Sequence, residues 1–143
     1  MDNLSKRQNN EAQVLIVEDD PHNRDMMLRM LHFMGHSADA ARNGEEALDL
    51  LELKNYVLVI TDLRMPRMGG IKLAQNIRQH SKKEIREVRI IGLSACVMWE
   101  EKVEFWQAGI NDLLEKPVRM QALSSFIDKN LECLSKKLNL IET

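Results

Sequence analysis

The chain has 143 residues, 44% hydrophobic and 29% charged, with 20 Lys and Arg against 22 Asp and Glu for a formal charge of −2. That length suits one domain with a real core, and the near-balanced charge excludes a bulk field that would draw nucleic acid. No apolar run approaches the ~20 residues needed to cross a bilayer, the polar start Met1–Asn10 lacks the apolar stretch of a secretory signal, and the widely spaced Cys96 and Cys133 read as reduced thiols in the cytoplasm.

In chain order, a polar segment, 1–11, leads into Val14-Leu15-Ile16-Val17. This run is short, largely β-branched and apolar on both faces, which predicts a buried strand of a parallel sheet. Glu18, Asp19 and Asp20 follow, and Asp20 before Pro21 reads as a helix cap. Met26, Met27, Met30, Leu31 and Met34 recur at helical spacing until Gly35 supplies a stop. The abundant methionine is read as core filler. Ser37 to Ala41 is small and weakly patterned, and is a strand mainly by its place between two helices. Asn43 is a cap for a helix turning Ala47, Leu48 and Leu51 inward.

Val57-Leu58-Val59-Ile60 predicts the third strand and runs into Thr61-Asp62. Ile71, Ala74 and Ile77 mark a third helix, and the mixed-charge stretch Ser81 to Arg89 reads as a solvated loop. Ile90-Ile91-Gly92-Leu93 is the fourth strand, ending in Ser94-Ala95. Val103, Trp106 and the flanking Phe105 mark a fourth helix; Trp99, near its start, fits either an exposed place beside the site or a core role. Asp112-Leu113-Leu114 is a weaker fifth strand, followed by Glu115-Lys116-Pro117. Leu123, Ile127, Leu131 and Leu134 form the last stripe, reaching toward Leu138, and residues 137–143 are expected to be a tail.

Strand and helix thus alternate five times, which calls for right-handed crossovers and an α/β fold whose parallel sheet is covered on both faces. Ligands of such sheets sit beyond the carboxyl ends of the strands. Glu18, Asp19, Asp62, Ser94 and Lys116 all fall at those ends. Unpaired, that crowd of charge would cost several kcal/mol per ion. Lys116 offers one compensating charge and a hard, oxygen-ligated Mg²⁺ (or Mn²⁺) two. A carboxylate held between a metal and a Lys can attack phosphorus and become an acyl phosphate, and phosphoryl transfer asks of a protein chiefly alignment and charge neutralisation. Asp62 is therefore the expected acceptor, Lys116 the charge partner and Ser94 a hydrogen-bond donor to the arriving group. His22, His32, His36 and His80 share no common setting that would make them a phosphohistidine shuttle.

These residues resemble the receiver domain of two-component response regulators. The resemblance spans about Gln13 to Lys136 and rests on Val-Leu-Ile-Val-Glu-Asp-Asp-Pro (14–21), Asp-Leu-Arg-Met-Pro-Arg-Met-Gly-Gly (62–70), Leu-Ser-Ala (93–95) and Glu-Lys-Pro (115–117) in that order. It implies a domain over 12–136 with a flavodoxin-like (βα)5 three-layer sandwich and strand order 2-1-3-4-5. It also implies phosphorylation of Asp62 by a phosphohistidine on a histidine kinase or histidine phosphotransfer protein. Mg²⁺ would be bound by Asp19, Asp62 and the backbone carbonyl of Arg64, with Glu18 reaching it through water. A cis bond before Pro117 would aim Lys116 inward.

Pro21-His22-Asn23-Arg24, Gly35-His36, Asn43-Gly44-Glu45-Glu46-Ala47-Leu48 and Ala108-Gly109-Ile110-Asn111-Asp112 are similar to receivers attached to hybrid histidine kinases. Two positions depart from the family pattern. Leu113 stands where Tyr or Phe is common, removing the aromatic readout and favouring a phosphorelay. Arg64 and Cys96, each two residues past a site residue, would flank the approach of attacking water and tune phosphoryl lifetime. An aspartyl-nucleophile phosphatase would need an acid where Arg64 stands, and an unphosphorylated interaction module would not need the full set. The domain is expected to touch neither nucleic acid nor membrane, and the last helix with Leu138-Asn139-Leu140-Ile141 could support a homodimer.

Overall fold

The computed structural model describes residues 13–95 and 98–142, with side chains through Glu132. Segment 1–11, Cys96 and the side chains of Cys133, Leu134 and Leu138 lie outside the described residues. The elements run β1 Gln13–Val17, α1 Pro21–Phe33, β2 Ser37–Ala41, α2 Gly44–Leu53, β3 Leu58–Asp62, α3 Gly70–Arg78, α4 Lys83–Arg86, β4 Arg89–Ser94, α5 Trp99–Gln107, β5 Asp112–Glu115 and α6 Met120–Glu142. All strand pairs are parallel, in the order β2-β1-β3-β4-β5. This is the flavodoxin-like α/β arrangement, and the reversal of strand order lies between β1 and β3. No helix among the described residues is long and apolar enough to cross a membrane.

The two-sided strands explain the layers. Alternate residues of β1 point to opposite faces: Leu15 and Val17 join one core with Ala47, Leu51, Leu73, Ile77 and Phe105, while Val14 and Ile16 join another with Met27, Leu31, Leu123 and Ile127. Helices α1 and α6 therefore cover one face and α2 to α5 the other. Both sequence-read caps form: the Asp20 carboxylate accepts from the His22 N–H at 3.0 Å with Pro21 opening α1, and Asn43 Oδ1 accepts from the Glu46 N–H at 2.9 Å.

Four details differ from the sequence reading. The third strand starts one residue later, at Leu58, and carries through to Asp62; Val57 is partly exposed. The stretch Ser81 to Arg89 contains the turn α4 and buries Ile85 and Val88. Its anchor is Arg78, whose guanidinium donates to the carbonyls of Arg86 (2.8 Å), Val88 (2.6 Å) and Gly109 (2.7 Å) and to Asn111 Oδ1 (2.9 Å). Backbone carbonyls carry no sequence signature, so this clamp is invisible in the residue pattern. In α5 only Phe105 is buried, and Val103 and Trp106 face outward with Trp99. Helix α6 runs on to Glu142 past the expected start of a tail.

On the edge strand β2, Asp39 Oδ2 accepts from the buried Tyr56 hydroxyl (2.6 Å), the Lys54 ammonium (3.0 Å) and the Gln13 amide (3.2 Å). Burial pushes the Asp39 carboxyl up, but these donors and the Lys54 charge outweigh it and hold the group below the usual carboxylate range. A depressed folded-state pKa means the stabilisation is present above the unfolded value and is lost as pH falls through the folded one. Tyr56→Phe should therefore cost about 1–2 kcal/mol at neutral pH. Urea unfolding of both proteins should show that gap narrowing below about pH 4. A gap that stays constant down to acid pH would detach Tyr56 from the Asp39 charge.

Candidate functional site

Parallel pairing brings four strand ends to one rim. Val17 is level with Thr61, Asp62 with Leu93, and Ser94 with Glu115. The residue after β1 is thus carried beside the end of β3, and the residue after β5 beside Ser94. The Lys116 N–H donates to the Ser94 carbonyl at 2.8 Å, and the peptide bond from Lys116 to Pro117 is cis.

Asp62 closes β3, 7% exposed, and Glu18 directly follows β1, 1% exposed. Lys116 Nζ donates to Asp62 Oδ2 at 2.9 Å and lies 3.6 Å from Glu18 Oε1. The other acceptor oxygen, Asp62 Oδ1, receives the Arg64 backbone N–H at 3.3 Å. Glu18 Oε2 receives the Asp19 N–H at 3.1 Å. Asp19 is exposed at the mouth. Glu18, Asp19 and Asp62 each bring a carboxylate oxygen within 4.8 Å of the others.

Burial pushes the Glu18 carboxyl up to about 7, and its hydrogen bond and like charge with Asp62 push the same way; the Lys116 charge only partly opposes them. For Lys116, burial acts to lower the pKa, but Asp62 and Glu18 prevail and hold it above the ordinary lysine value. Burial is the larger cause and the like charge of Asp62 adds to it, so the single ammonium of Lys116 does not offset both. An all-oxygen cluster of this kind suits a hard divalent cation, and these residues could hold one.

Asp62, Ser94, Lys116 and Arg64 line one cavity of about 410 Å³, together with Met98 and Glu101. Glu18 and Lys116 also reach a second, of about 360 Å³, bordered by Asn23 and Met26 of α1 and by Pro117. Leu113 lines a smaller cavity of about 210 Å³ with Ser94 and Lys102, so the position that lacks an aromatic ring does neighbour the hydroxyl residue. Glu18, Asp19, Asp62, Arg64, Ser94 and Lys116 therefore share this rim, while Cys96 lies outside the described residues. His80 lies elsewhere, its Nε2 3.1 Å from Glu52 Oε1.

Three contributors were not read from the sequence. Arg24, on the first turns of α1, donates to the carbonyls of Glu18 (3.1 Å) and Asp19 (3.4 Å) and so fixes the acidic loop. Met98 and Glu101 come from the start of α5 and close the far wall. Nothing in their spacing distinguishes them from a solvated helix start.

Residues 14–128 match the response regulator receiver domain family. Among curated proteins, the chain is 30% identical over 128 residues to the sensor histidine kinase RcsC of Escherichia coli strain K12, covering 90% of this chain and 13% of that protein. It is 30% identical over 132 residues to hybrid signal transduction histidine kinase K of Dictyostelium discoideum, covering 89% and 11%. The chain thus spans only about an eighth of the length of these relatives. Among solved structures, it superposes with a TM-score of 0.75 and 28% identity on the receiver domain of the sensor histidine kinase PA1611 of Pseudomonas aeruginosa PAO1, over 83% of this chain and 96% of that one. That structure has a magnesium ion coordinated in the active site cleft.

The rim depends on close backbone approach at Gly70, the first residue of α3. A Cβ there would lie 2.7 Å from the Asp62 carbonyl oxygen and 3.0 Å from Leu63 Cα. Backbone cannot yield as a side chain does, so Gly70→Ala should cost about 1–3 kcal/mol in thermal or urea unfolding. A loss under ~0.5 kcal/mol, the range of an unconstrained surface change, would show that α3 does not press on the end of β3.

Proposed function

Because the chain belongs to the response regulator receiver domain family, we propose that it is a phosphoacceptor module of a two-component phosphorelay in which Asp62 takes a phosphoryl group from a phosphohistidine. The observation that carries this reading is the Asp62 carboxylate held 2.9 Å from Lys116 Nζ beside Glu18 and Asp19.

An Asp62 oxygen attacks phosphorus as the P–N bond of the donor breaks, the electron pair leaving with the imidazole nitrogen; the product is an aspartyl phosphate. Lys116 neutralises one equatorial oxygen. Backbone N–H groups after Asp62, starting from that of Arg64, take another. Ser94 lines the same cavity and supplies a hydroxyl to the group once it has arrived. Glu18, Asp19, Asp62 and the Arg64 carbonyl would hold Mg²⁺ (or Mn²⁺), which supplies further neutralisation of the transferring oxygens.

The donor would be a histidine kinase or a histidine phosphotransfer protein, a class suggested by the kinases to which the chain is similar. The cavity between α1 and Pro117, with Met26 exposed at its edge, offers the partner an apolar seat next to Lys116. We place the domain at 12–136, in the cytoplasm, as part of a hybrid sensor kinase or as a single-domain regulator.

Incubation with acetyl phosphate and Mg²⁺ should add one phosphoryl mass to the intact protein, and chelation with EDTA should abolish the gain. Asp62→Ala should gain nothing; a stable adduct on that variant would move the acceptor elsewhere. Lys116→Ala should retain Mg²⁺ binding by calorimetry while transfer slows by at least about tenfold, the scale of one lost charge-assisted contact. Unchanged transfer would remove Lys116 from its role.

A further inference from the structure

The wall of the acceptor cavity carries a charge that opposes its contents. Glu101, in the first turn of α5, lines the space that would receive a phosphoryl group on Asp62. Its Oε1 takes the Arg64 guanidinium at 3.3 Å, an ion pair 37 residues apart in sequence that spans from the β3 end to α5. Its Oε2 is closed off from solvent and has no hydrogen-bond partner among the described residues. The Arg64 side chain is 80% exposed, so it is free to swing while its backbone N–H stays 3.3 Å from Asp62 Oδ1.

We propose that Glu101 is a positioning residue for phosphoryl transfer: it parks the Arg64 guanidinium against α5, away from the acceptor, until an incoming phosphoryl group competes for it. The proposal rests on the reading of Asp62 as the acceptor. A phosphoryl group brings about two negative charges and three acceptor oxygens, against one charge and one engaged oxygen on Glu101. The planar fork of Arg matches phosphate geometry in two parallel hydrogen bonds. The arriving group therefore takes Arg64, and Glu101 is left as a half-enclosed carboxylate with no cation, facing a dianion. That repulsion acts on the first turn of α5, whose outer surface carries Trp99, Val103 and Trp106. With Leu113 in place of an aromatic ring, this charge exchange gives α5 a second way to register the state of Asp62.

A kinetic double-mutant cycle tests the idea. The full chain, Glu101→Gln, Arg64→Ala and the double variant are each given acetyl phosphate and Mg²⁺, and the phosphoryl mass is followed in time. Glu101→Gln frees Arg64 and should speed acquisition by about two- to fivefold, the range a partly exposed ion pair carries. In the Arg64→Ala background only the direct repulsion by Glu101 is relieved, so the same substitution should speed acquisition by less than it does with Arg64 present. Equal acceleration in both backgrounds would mean that Glu101 merely repels the phosphoryl group, and no acceleration in either would mean that it does not act on the site; both overturn the proposal. The assignment of the acceptor fails separately, by absence of any mass gain on the unmodified chain.

Discussion

Three carboxylates and one ammonium crowd one rim, and two of the carboxylates are withdrawn from water there. Glu18 and Asp62 are almost wholly enclosed, and the sheet that carries them is apolar on both faces. Their mutual repulsion is tolerable only with cations in contact, and Lys116 supplies one. Glu18, pushed up to about 7 chiefly by burial and then by Asp62, carries the remaining imbalance. An acidic cluster of this kind could hold a dication. The rest of the molecule serves to keep these groups from drifting apart.

That service is visible at several levels. β-Branched residues make strands that pair in parallel, and parallel pairing aligns all carboxyl ends. The Asp20 cap and Pro21 start α1 immediately after the acids, which lets Arg24 reach back to their carbonyls. Glycine at the head of α3 lets that helix press on the Asp62 carbonyl. On the opposite side of the molecule, Arg78 ties the end of α3 to the segments before β4 and β5, stiffening the two strands that deliver Ser94 and Lys116.

The parts legible in the sequence were those with a period or a position. Short unbroken apolar runs, caps such as Asn43, and acids placed directly after strands announce themselves in one dimension. Ser37 to Ala41 lacked a pattern, yet its place between helices sufficed, because a crossover fold admits little else there. What stayed hidden was contact between side chains and backbone. Arg24 and Arg78 act through carbonyls, which every residue has. Val103 and Trp106 marked a helix by their spacing, but of these apolar residues only the flanking Phe105 is buried, and the spacing alone does not say which face packs. Glu101 was overlooked for a related reason: an acid in the first turn of a helix is commonplace, and only the tertiary fold shows that it faces Asp62 across a cavity.

The most direct test of the common pocket is a crystal structure grown with Mg²⁺ and beryllofluoride, a mimic of the phosphoryl group. The cation should lie about 2.0–2.1 Å from oxygens of Asp19 and Asp62, with beryllium bonded to the Asp62 carboxylate and Lys116 Nζ in hydrogen-bond contact with a fluoride. A cation bound away from Asp19 and Asp62, or an Asp62 left bare while Lys116 points elsewhere, would contradict the assembly of these four strand ends into one phosphoryl site.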